Sequence, residues 1–318
     1  MTVSRILNNK GGASEATREK VRRIAREVGY VANSAARSLR GINNTIGVVI
    51  TDITRPYAGE MLYRLSLVAD HHNYGLMLYA QGSKDHIERS EHYASLLVSG
   101  VNSGVILDTT VDYGIFLHNL KQNDIPYVLL DPHEHDNEPV VLSTNRRGIV
   151  DATRHLLALG HQRIGFISGP LNTWAAKERL QGYLDALKEV GIPVDHELIH
   201  EGNFKQTTGF QLGRHLLSVS PHPTAIIASN DGMAFGVMEA IREKGLEIGT
   251  DISVIGFDDV PMASQVDPPL TTVRQPIEQI AIEALELLID LIEGRQPARL
   301  RRELPTELII RQTTGHPK

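Results

Sequence analysis

The chain has 318 residues, 41% hydrophobic and 22% charged, with a formal net charge of −6 at pH 7, and is therefore long enough for two domains and a small additional segment. The absence of cysteine excludes disulfides, thiolate nucleophiles and cysteine-ligated metal sites. No apolar run approaches the roughly 20 residues of a membrane span and no signal-peptide segment opens the chain, so we expect a cytoplasmic protein.

The formal charge is unevenly distributed along the chain. Residues 1–40 contain nine basic and three acidic residues, a charge of +6, and the rest contains 23 basic and 35 acidic residues, a charge of −12. A basic N-terminal segment on an acidic body is typical of a protein in which only that segment contacts phosphate. A solvated terminal helix would carry the same charge and is the alternative.

The N-terminus contains two short amphipathic helix patterns. In MTVSRILNNK, the apolar residues Val3, Ile6 and Leu7 fall on one helical face. The second pattern, SEATREKVRRIAREVGY, begins with a potential N-cap at Ser14 and ends before a potential capping glycine, Gly29. Two such helices bury too little surface to fold alone, because units below about 40 residues rarely do. We infer that a third helix is missing from the pattern.

The next segment, NSAARSLRG, combines small residues with a single large apolar residue, Leu39. One interpretation is a linker helix whose Leu39 packs on the body of the protein. The other is a wedge that inserts Leu39 between base steps in the DNA minor groove. Unstacking a step costs a few kcal/mol, whereas burial of one leucine returns roughly 1.5–3 kcal/mol. One wedge would not compensate for the unstacking, so the pattern suggests two copies together with phosphate contacts, and hence a dimer.

From about residue 45 the chain alternates between short apolar runs and helical patterns. The predicted strands are TIGVVITD, GLMLYAQ, SGVILD, IPYVLLD, RIGFISG, TAIIASND and ISVIGFDD. The predicted helices lie at 57–74, 86–99, 146–160, 175–190, 206–219, 232–244 and 277–293. This alternation predicts parallel sheets with right-handed crossovers, and the number of strands favours two doubly wound α/β lobes. The C-terminal RQTTGHPK has no leucine heptads, which argues against a tetramerisation helix.

Polar residues follow the predicted strands at the edge where parallel α/β sheets bind ligands. They are Asp52, Asp131, Gly169-Pro170, Asn230-Asp231 and Asp258-Asp259, with the aromatic residues Tyr57, Trp174 and Phe204 in nearby loops. Carboxylates and amides bind hydroxyl pairs and aromatic faces stack on C–H surfaces, so the pattern favours a polyhydroxylated ligand. The alternative for each strand-end residue is that it only caps the helix that follows.

Motifs for catalysis and metal binding are absent from the sequence. It lacks G-x-S-x-G, a P-loop, and a G-x-G-x-x-G that opens a helix after a strand. The pair His71-His72 and the loop DPHEHD, with His133 and His135, lack a helical H-x-x-x-H pair and an acid at ligand spacing, so a solvated loop is the preferred interpretation. We expect neither an enzyme nor a bound metal or cofactor.

Longer motifs occur in order from residue 2 to about residue 312. They include TVSRILN, TREKVRRIAREVGY, IGVVITDIT, LLALGHQRIGFISGP, TAIIASNDGMAFG, DISVIGFDD and DPPLTTVRQP. In this combination the chain resembles the lactose-repressor/galactose-repressor family of bacterial transcription regulators. The resemblance implies a helix-turn-helix headpiece, a hinge helix and a two-lobed core similar to periplasmic sugar-binding proteins, with effector-controlled operator binding as the activity.

By this resemblance the N-terminal residues bind DNA. TVSRILNNK is similar to the family's recognition helix, and NSAARSLRG to its hinge helix with the leucine wedge. The implied DNA-binding residues are Thr2, Ser4, Arg5, Asn8, Asn33, Arg37, Leu39 and Arg40. The family's first helix would precede Met1. Either translation starts further upstream, which the regular helical pattern favours, or the chain has lost DNA binding and is a cytosolic ligand-binding sensor.

The resemblance also implies domain boundaries and an effector site. Residues 1–32 would form the partial headpiece, 33–44 the hinge helix and linker, 45–143 plus 276–303 the N-terminal lobe, and 144–275 plus 304–318 the C-terminal lobe. The implied effector-binding residues are Tyr57, Asp131, Trp174, Arg179, Phe204, Asn230, Asp258 and Gln275. Arg179 would hold a hydroxyl or carboxylate, Asp258 would accept from hydroxyls, and Phe204 or Trp174 would stack on the ligand.

The implied mechanism is that of a homodimer on a pseudo-palindromic operator of double-stranded DNA. A small sugar-like effector would close the cleft, rotate the lobes and change the spacing of the two hinge helices, with a coupling free energy of about 1–3 kcal/mol. Induction, in which the effector releases the operator, is the preferred direction. The lack of a signal peptide and the basic N-terminus disfavour a transport receptor.

Overall fold

The computed structural model describes residues 6, 14–27, 44–80, 86–108, 113–132 and 137–318. It divides the chain into two compact units, Met1–Asn44 and Thr45–Lys318. Within the described ranges, no helix has the length and apolar character that would be needed to cross a membrane.

In the first unit, the described residues form helix α1, Glu15–Glu27. The Ser14 Oγ accepts from the Thr17 backbone N–H at 3.4 Å, so Ser14 caps this helix as predicted. Ile6 is helical and buried, in agreement with its place on the predicted apolar face. The predicted DNA-binding residues all lie outside the described part of the chain: Thr2, Ser4, Arg5, Asn8, Asn33, Arg37, Leu39 and Arg40.

The second unit alternates strands and helices. Its strands are β1 (Thr45–Ile50), β2 (Gly75–Ala80), β3 (Gly104–Asp108), β4 (Tyr127–Leu130), β5 (Val140–Ser143), β6 (Ile164–Ser168), β7 (Ile199–Glu201), β8 (Ala225–Ala228), β9 (Ser253–Asp258), β10 (Thr271–Arg274), β11 (Arg301–Leu304) and β12 (Glu307–Ile309). Its helices are α2 (Pro56–His71), α3 (His86–Leu97), α4 (Gly114–Gln122), α5 (Asn145–Ala158), α6 (Trp174–Glu189), α7 (Gln206–Leu216), α8 (Asp231–Glu243) and α9 (Ile277–Ile292).

These strands form two sheets, one in each lobe, which confirms the prediction of two doubly wound lobes. The N-terminal lobe has the order β11-β5-β4-β3-β1-β2, with every neighbouring pair parallel. The C-terminal lobe has the order β12-β10-β9-β8-β6-β7, and only β12 runs antiparallel to its neighbour. Strand β12 departs from the predicted parallel arrangement. The chain leaves β11 at the cleft edge of one lobe and enters the other lobe at its cleft edge, so β12 runs opposite to its neighbour.

The chain passes between the lobes after β5, after β10 and after β11. Two of these connections are joined by hydrogen bonds between Thr144 and Thr306. The Thr306 backbone N–H donates to Thr144 Oγ1 at 2.9 Å, and the two hydroxyl oxygens also lie 2.9 Å apart. The crossings therefore form a connected hinge beside the cleft.

Helices cover both faces of each sheet. In the N-terminal lobe, α2 with Leu65 and α9 pack on one face, and α3 and α4 with Phe116 pack on the other. In the C-terminal lobe, α7 and α8 with Met233 cover one face, and α5 and α6 with Tyr183 cover the other. Strands that are buried on both faces form continuous apolar runs, which explains why the sequence predicted them.

Candidate functional site

A cavity of about 60 Å³ lies between the two lobes, at the carboxyl ends of their strands, which is where α/β sheets of this kind bind ligands. It is lined by Arg55, Tyr57, Ala58, Asp108, Leu130, Asp131, Thr173, Ala175, Arg179, Phe204, Asn230, Asp258 and Gln275. Seven of the eight predicted effector-binding residues are in this set, and Trp174 is the exception.

Arg179, on α6, lies at the floor of the cavity and is only 4% exposed. Its Nε donates to Asn145 Oδ1 at 2.8 Å, and its Nη1 donates to the Ser229 carbonyl. The same Nη1 is 3.9 Å from Asp258 Oδ1, and the guanidinium lies 3.6 Å from the centroid of the Phe257 ring. Burial lowers the pKa of Arg179 and the nearby aspartates oppose this effect, but arginine remains charged in proteins. A fixed cation therefore faces the ligand space.

Asp258, the last residue of β9, is oriented by hydrogen bonds that reach the other lobe. Gln275 Nε2 donates to Asp258 Oδ1 at 2.7 Å, and Ser143 Oγ donates to Gln275 Oε1 at 2.6 Å. Burial raises the pKa of Asp258 to about 7, although the charge of Arg179 opposes the rise. This carboxyl group is therefore held in place and titrates near neutral pH.

Asp131, directly after β4, adopts the left-handed conformation with φ 47°. Its Oδ1 accepts from the Ser143 backbone N–H at 2.9 Å and from Asn145 Nδ2 at 3.2 Å. Burial raises the pKa of Asp131, and these hydrogen bonds lower it. Because Asn145 also accepts from Arg179, Asp131 in one lobe and Arg179 in the other belong to one hydrogen-bond network.

Asn230 lines the cavity and also caps α8. Its Oδ1 accepts from the Met233 backbone N–H at 2.9 Å, and its Nδ2 donates to the Phe204 carbonyl at 3.1 Å. Phe204 has φ 65°, and its ring takes the space beside Gly169, where an added Cβ would lie 2.0 Å from a ring carbon. Asn230 thus holds the segment that carries Phe204, so the capping role and the cavity-lining position occur together.

Tyr57, in the first turn of α2, is the predicted aromatic residue on the N-terminal-lobe side. Burial raises the pKa of its phenol well above the usual range, and the carboxylate of Asp131 adds to the rise. The phenol is therefore protonated at neutral pH and can donate a hydrogen bond to a ligand.

Two contacts join the lobes at the edge of the cavity. Lys205 Nζ lies 3.3 Å from Asp52 Oδ2, and the guanidinium carbon of Arg55 lies 5.3 Å from the centroid of the Phe204 ring. Our sequence analysis missed Arg55 as a cavity residue. Its position between the strand-end Asp52 and the predicted Tyr57 is the signal that could have identified it.

Trp174 begins α6 but does not line this cavity. Its neighbours Thr173 and Ala175 do, whereas Trp174 lines a separate groove of about 750 Å³. Ala175 and Arg179 are four residues apart and share one helical face, so the helix register that directs Arg179 into the cavity turns Trp174 away from it. The expected stacking of Trp174 on a ligand in this cavity is therefore not supported by its position.

The larger groove beside Trp174 is a weaker candidate for a ligand site because its charged residues neutralise one another. Arg146 Nε lies 2.6 Å from Asp185 Oδ2, and Arg154 Nε lies 2.8 Å from Glu189 Oε2. The smaller cavity, with its network of buried polar groups, is the candidate functional site.

Among the described residues, no group of three or more metal-ligating side chains is arranged to hold a metal ion. The rings of His71 and His72 contact each other edge to face, with centroids 5.2 Å apart. His133 and His135 of the DPHEHD loop lie outside the described residues.

Comparisons with known proteins agree along nearly the whole chain. Residues 1–33 match the family model for bacterial regulatory proteins of the lacI family, and residues 153–314 match that for a periplasmic binding protein-like domain. The HTH-type transcriptional repressor CytR of Escherichia coli (strain K12) is 33% identical over 98% of this chain and 92% of its own length. The Ribose operon repressor of Halalkalibacterium halodurans is 34% identical with the same coverage. Among solved structures, the lac repressor dimer bound to operator and the anti-inducer ONPF has a TM-score of 0.86 at 30% identity, covering 99% of this chain and 94% of that one.

Proposed function

The chain belongs to the lacI family of bacterial regulatory proteins, and from this premise we propose that it is a transcriptional repressor controlled by a small effector, a sugar or sugar derivative. The effector binds between the lobes and changes the affinity of the N-terminal unit for an operator. The observation that carries the effector half is the interlobe cavity, where Asp131, Arg179 and Asp258 are held by hydrogen bonds from both lobes. As a DNA-binding regulator, it acts in the cytoplasm, and we assign it no catalysis.

The DNA-binding half of the proposal rests on the match of residues 1–33 and on the excess of basic residues there. Positive charge near the DNA supplies most of the sequence-independent affinity. In this proposal Arg5 reads guanine O6 and N7, and Leu39 enters the minor groove. We assign the remaining contacts to Thr2, Ser4, Asn8, Asn33, Arg37 and Arg40.

The cavity chemistry supports a polyhydroxylated effector. Asp131 and Asp258 offer carboxylate oxygens to hydroxyl groups, Arg179 and Tyr57 offer donors, and Phe204 offers an aromatic face to C–H groups. Most of these groups already have their orientation fixed by the protein, so little conformational entropy is lost when a ligand binds.

The size of the cavity supports a switch between conformations. The cavity, of about 60 Å³, is narrow and is lined by residues of both lobes. We propose that the lobes separate at the hinge to admit an effector and close again around it. We propose that this movement changes the spacing of the two N-terminal units in a dimer and, by induction, releases the operator.

An exposed apolar surface supports assembly into a homodimer. Strand β2 is at the edge of its sheet, with Met77 39% and Leu78 43% exposed. The adjacent helix α2 exposes Tyr63 (55%) and Leu67 (50%). An apolar edge strand pairs readily with another chain, and two copies on a two-fold axis match a pseudo-palindromic operator. We call this surface the α2–β2 face.

The proposed function is tested by operator binding. The full chain should bind a palindromic site upstream of its own gene in a fluorescence-anisotropy titration, and Leu39→Ala should raise the Kd about tenfold or more, because it removes the buried wedge. Leu300→Ala is the matched control, because this leucine is exposed and lies outside the N-terminal unit. If Leu39→Ala leaves the operator affinity unchanged, the hypothesis that Leu39 acts as a wedge is wrong. Failure to bind any such site, with ligand binding retained, would support the sensor alternative.

A further inference from the structure

Arg55 is a cavity residue that forms no ion pair within the described part of the chain. It lines the interlobe cavity, and its Nε is buried without a hydrogen-bond acceptor. Its guanidinium contacts the face of the Phe204 ring, and its charge lowers the pKa of Asp258 without forming an ion pair with it. A buried donor of a charged group without an acceptor is unfavourable, so the site is incomplete until something accepts from it.

The nearby carboxylates are already engaged with other groups. Asp52 pairs with Lys205 at 3.3 Å and accepts two hydrogen bonds from Thr54. Asp131 accepts from two groups, and Asp258 accepts from Gln275 and lies beside Arg179. None of these three acids makes an ion pair with Arg55.

Arg55 is also more exposed than the residues at the buried end of the site. Asp258 and Arg179 are 3% and 4% exposed, whereas Arg55 is only partly buried and stands in the loop that joins β1 to α2. A ligand whose hydroxyls meet Asp131 and Asp258 would therefore present its outer end to Arg55. A negative charge at that end would be stabilised by Arg55 and kept away from the two carboxylates.

We propose that Arg55 binds an anionic substituent, a phosphate ester or a carboxylate, on the effector, so that the effector is an acidic sugar derivative and not a neutral sugar. This inference rests on the proposed function and specifies the ligand of that same cavity. A guanidinium forms two parallel hydrogen bonds with either anion. When the lobes open, the guanidinium leaves the Phe204 ring, and when they close, it pairs with the anion while Phe204 stacks on the sugar.

The test compares acidic sugars with their neutral parents by isothermal titration calorimetry on the full chain. The pairs are D-ribose 5-phosphate with D-ribose, and D-glucose 6-phosphate and D-glucuronate with D-glucose. At least one acidic member should bind about tenfold or more tightly than its parent, and Arg55→Gln should remove that preference, because a charge-assisted hydrogen bond contributes this much. The phosphate and carboxylate members distinguish the two kinds of anion.

Arg214→Gln is the matched control, since it removes the same charge from an exposed arginine of α7 that pairs with Glu243, and the preference should survive in it. The inference is overturned if no acidic member binds more tightly than its parent, or if the preference persists in Arg55→Gln. A neutral sugar that binds at least as tightly as its acidic counterparts, and whose binding Asp258→Ala abolishes, would overturn the inference but leave the proposed function standing. Failure of the full chain to bind an operator, by contrast, would contradict the proposed function.

Discussion

The buried carboxyl group of Asp258 links protein stability to pH. Burial raises its pKa from the ordinary 3.8 to about 7, so the folded state holds the proton more tightly than the unfolded state does. The contribution of this group to stability is therefore lost progressively as pH rises from about 4 to about 7. The cost of the buried charge is largest above neutral pH.

We predict that Asp258→Asn, which is neutral at every pH, gains stability relative to the wild type as pH rises. The difference in Tm, variant minus wild type, should increase by about 2–4 °C or more between pH 5 and pH 8, since each kcal/mol corresponds to a shift of roughly this size. Thermal melts across that range provide the measurement. Asp70→Asn, at an exposed position on α2, should give a constant difference, and parallel curves for both variants would contradict the prediction.

Individual site residues differed in how visible they were in the sequence. Asp131 and Asp258 were predicted because each ends an apolar strand, and the ends of parallel strands meet at one edge. Trp174 has the right residue type in the right loop, but the helical register of α6 places it in a different groove from Arg179. Arg55 was missed because an arginine before a proline in a polar loop carries no pattern of its own.

At the level of elements, helices α7 and α8 approach each other closely at two glycines. A Cβ added at Gly236 on α8 would lie 2.1 Å from the Gln206 carbonyl oxygen, and one at Gly209 on α7 would lie 2.2 Å from the Met233 carbonyl oxygen. Backbone atoms cannot move aside as a flexible side chain does. These glycines therefore set the distance between the two helices that cover one face of the C-terminal sheet.

We predict that Gly236→Ala lowers the free energy of unfolding by about 2 kcal/mol, because the added methyl group forces the two helices apart. Gly59→Ala on α2 is the matched control, since an added Cβ there meets no atom within 4 Å. It should leave stability unchanged or raise it by up to about 1 kcal/mol, because alanine favours a helix. Urea denaturation measures the free energy of unfolding of both variants. Equal changes in the two would show that the close approach of α7 and α8 does not restrict the residue at position 236.

The elements that sequence analysis missed are short. All seven predicted strands and seven predicted helices are present. The missed strands, β5, β7, β10, β11 and β12, have three or four residues each, and the missed helix α4 has nine. A run that short has too few residues to reveal a period.

At the scale of the whole molecule, the α2–β2 face governs assembly in our proposal. We predict that the double variant Leu67→Lys, Leu78→Lys raises the Kd of the dimer at least tenfold, because it replaces buried apolar surface with like charges on both copies. Sedimentation equilibrium measures the change.

The control for that experiment is Val190→Lys with Val194→Lys. Both valines are exposed, 56% and 37%, and lie after α6 in the other lobe. This variant should remain dimeric. If the dimer persists with the α2–β2 substitutions but dissociates with the valine substitutions, the interface lies in the C-terminal lobe and our assignment is wrong.

By itself, the sequence determined the alternation of strands and helices, the division into two α/β lobes, and the identity of most polar residues at the strand ends. These features depend on the periodicity of apolar residues, which is a local property of the chain. Only the tertiary structure decided which side chains share the cavity, that Trp174 lies outside it and that Arg55 lies inside it. Those outcomes depend on helix register and on contacts such as Arg55 with Phe204, between segments that are about 150 residues apart in the chain.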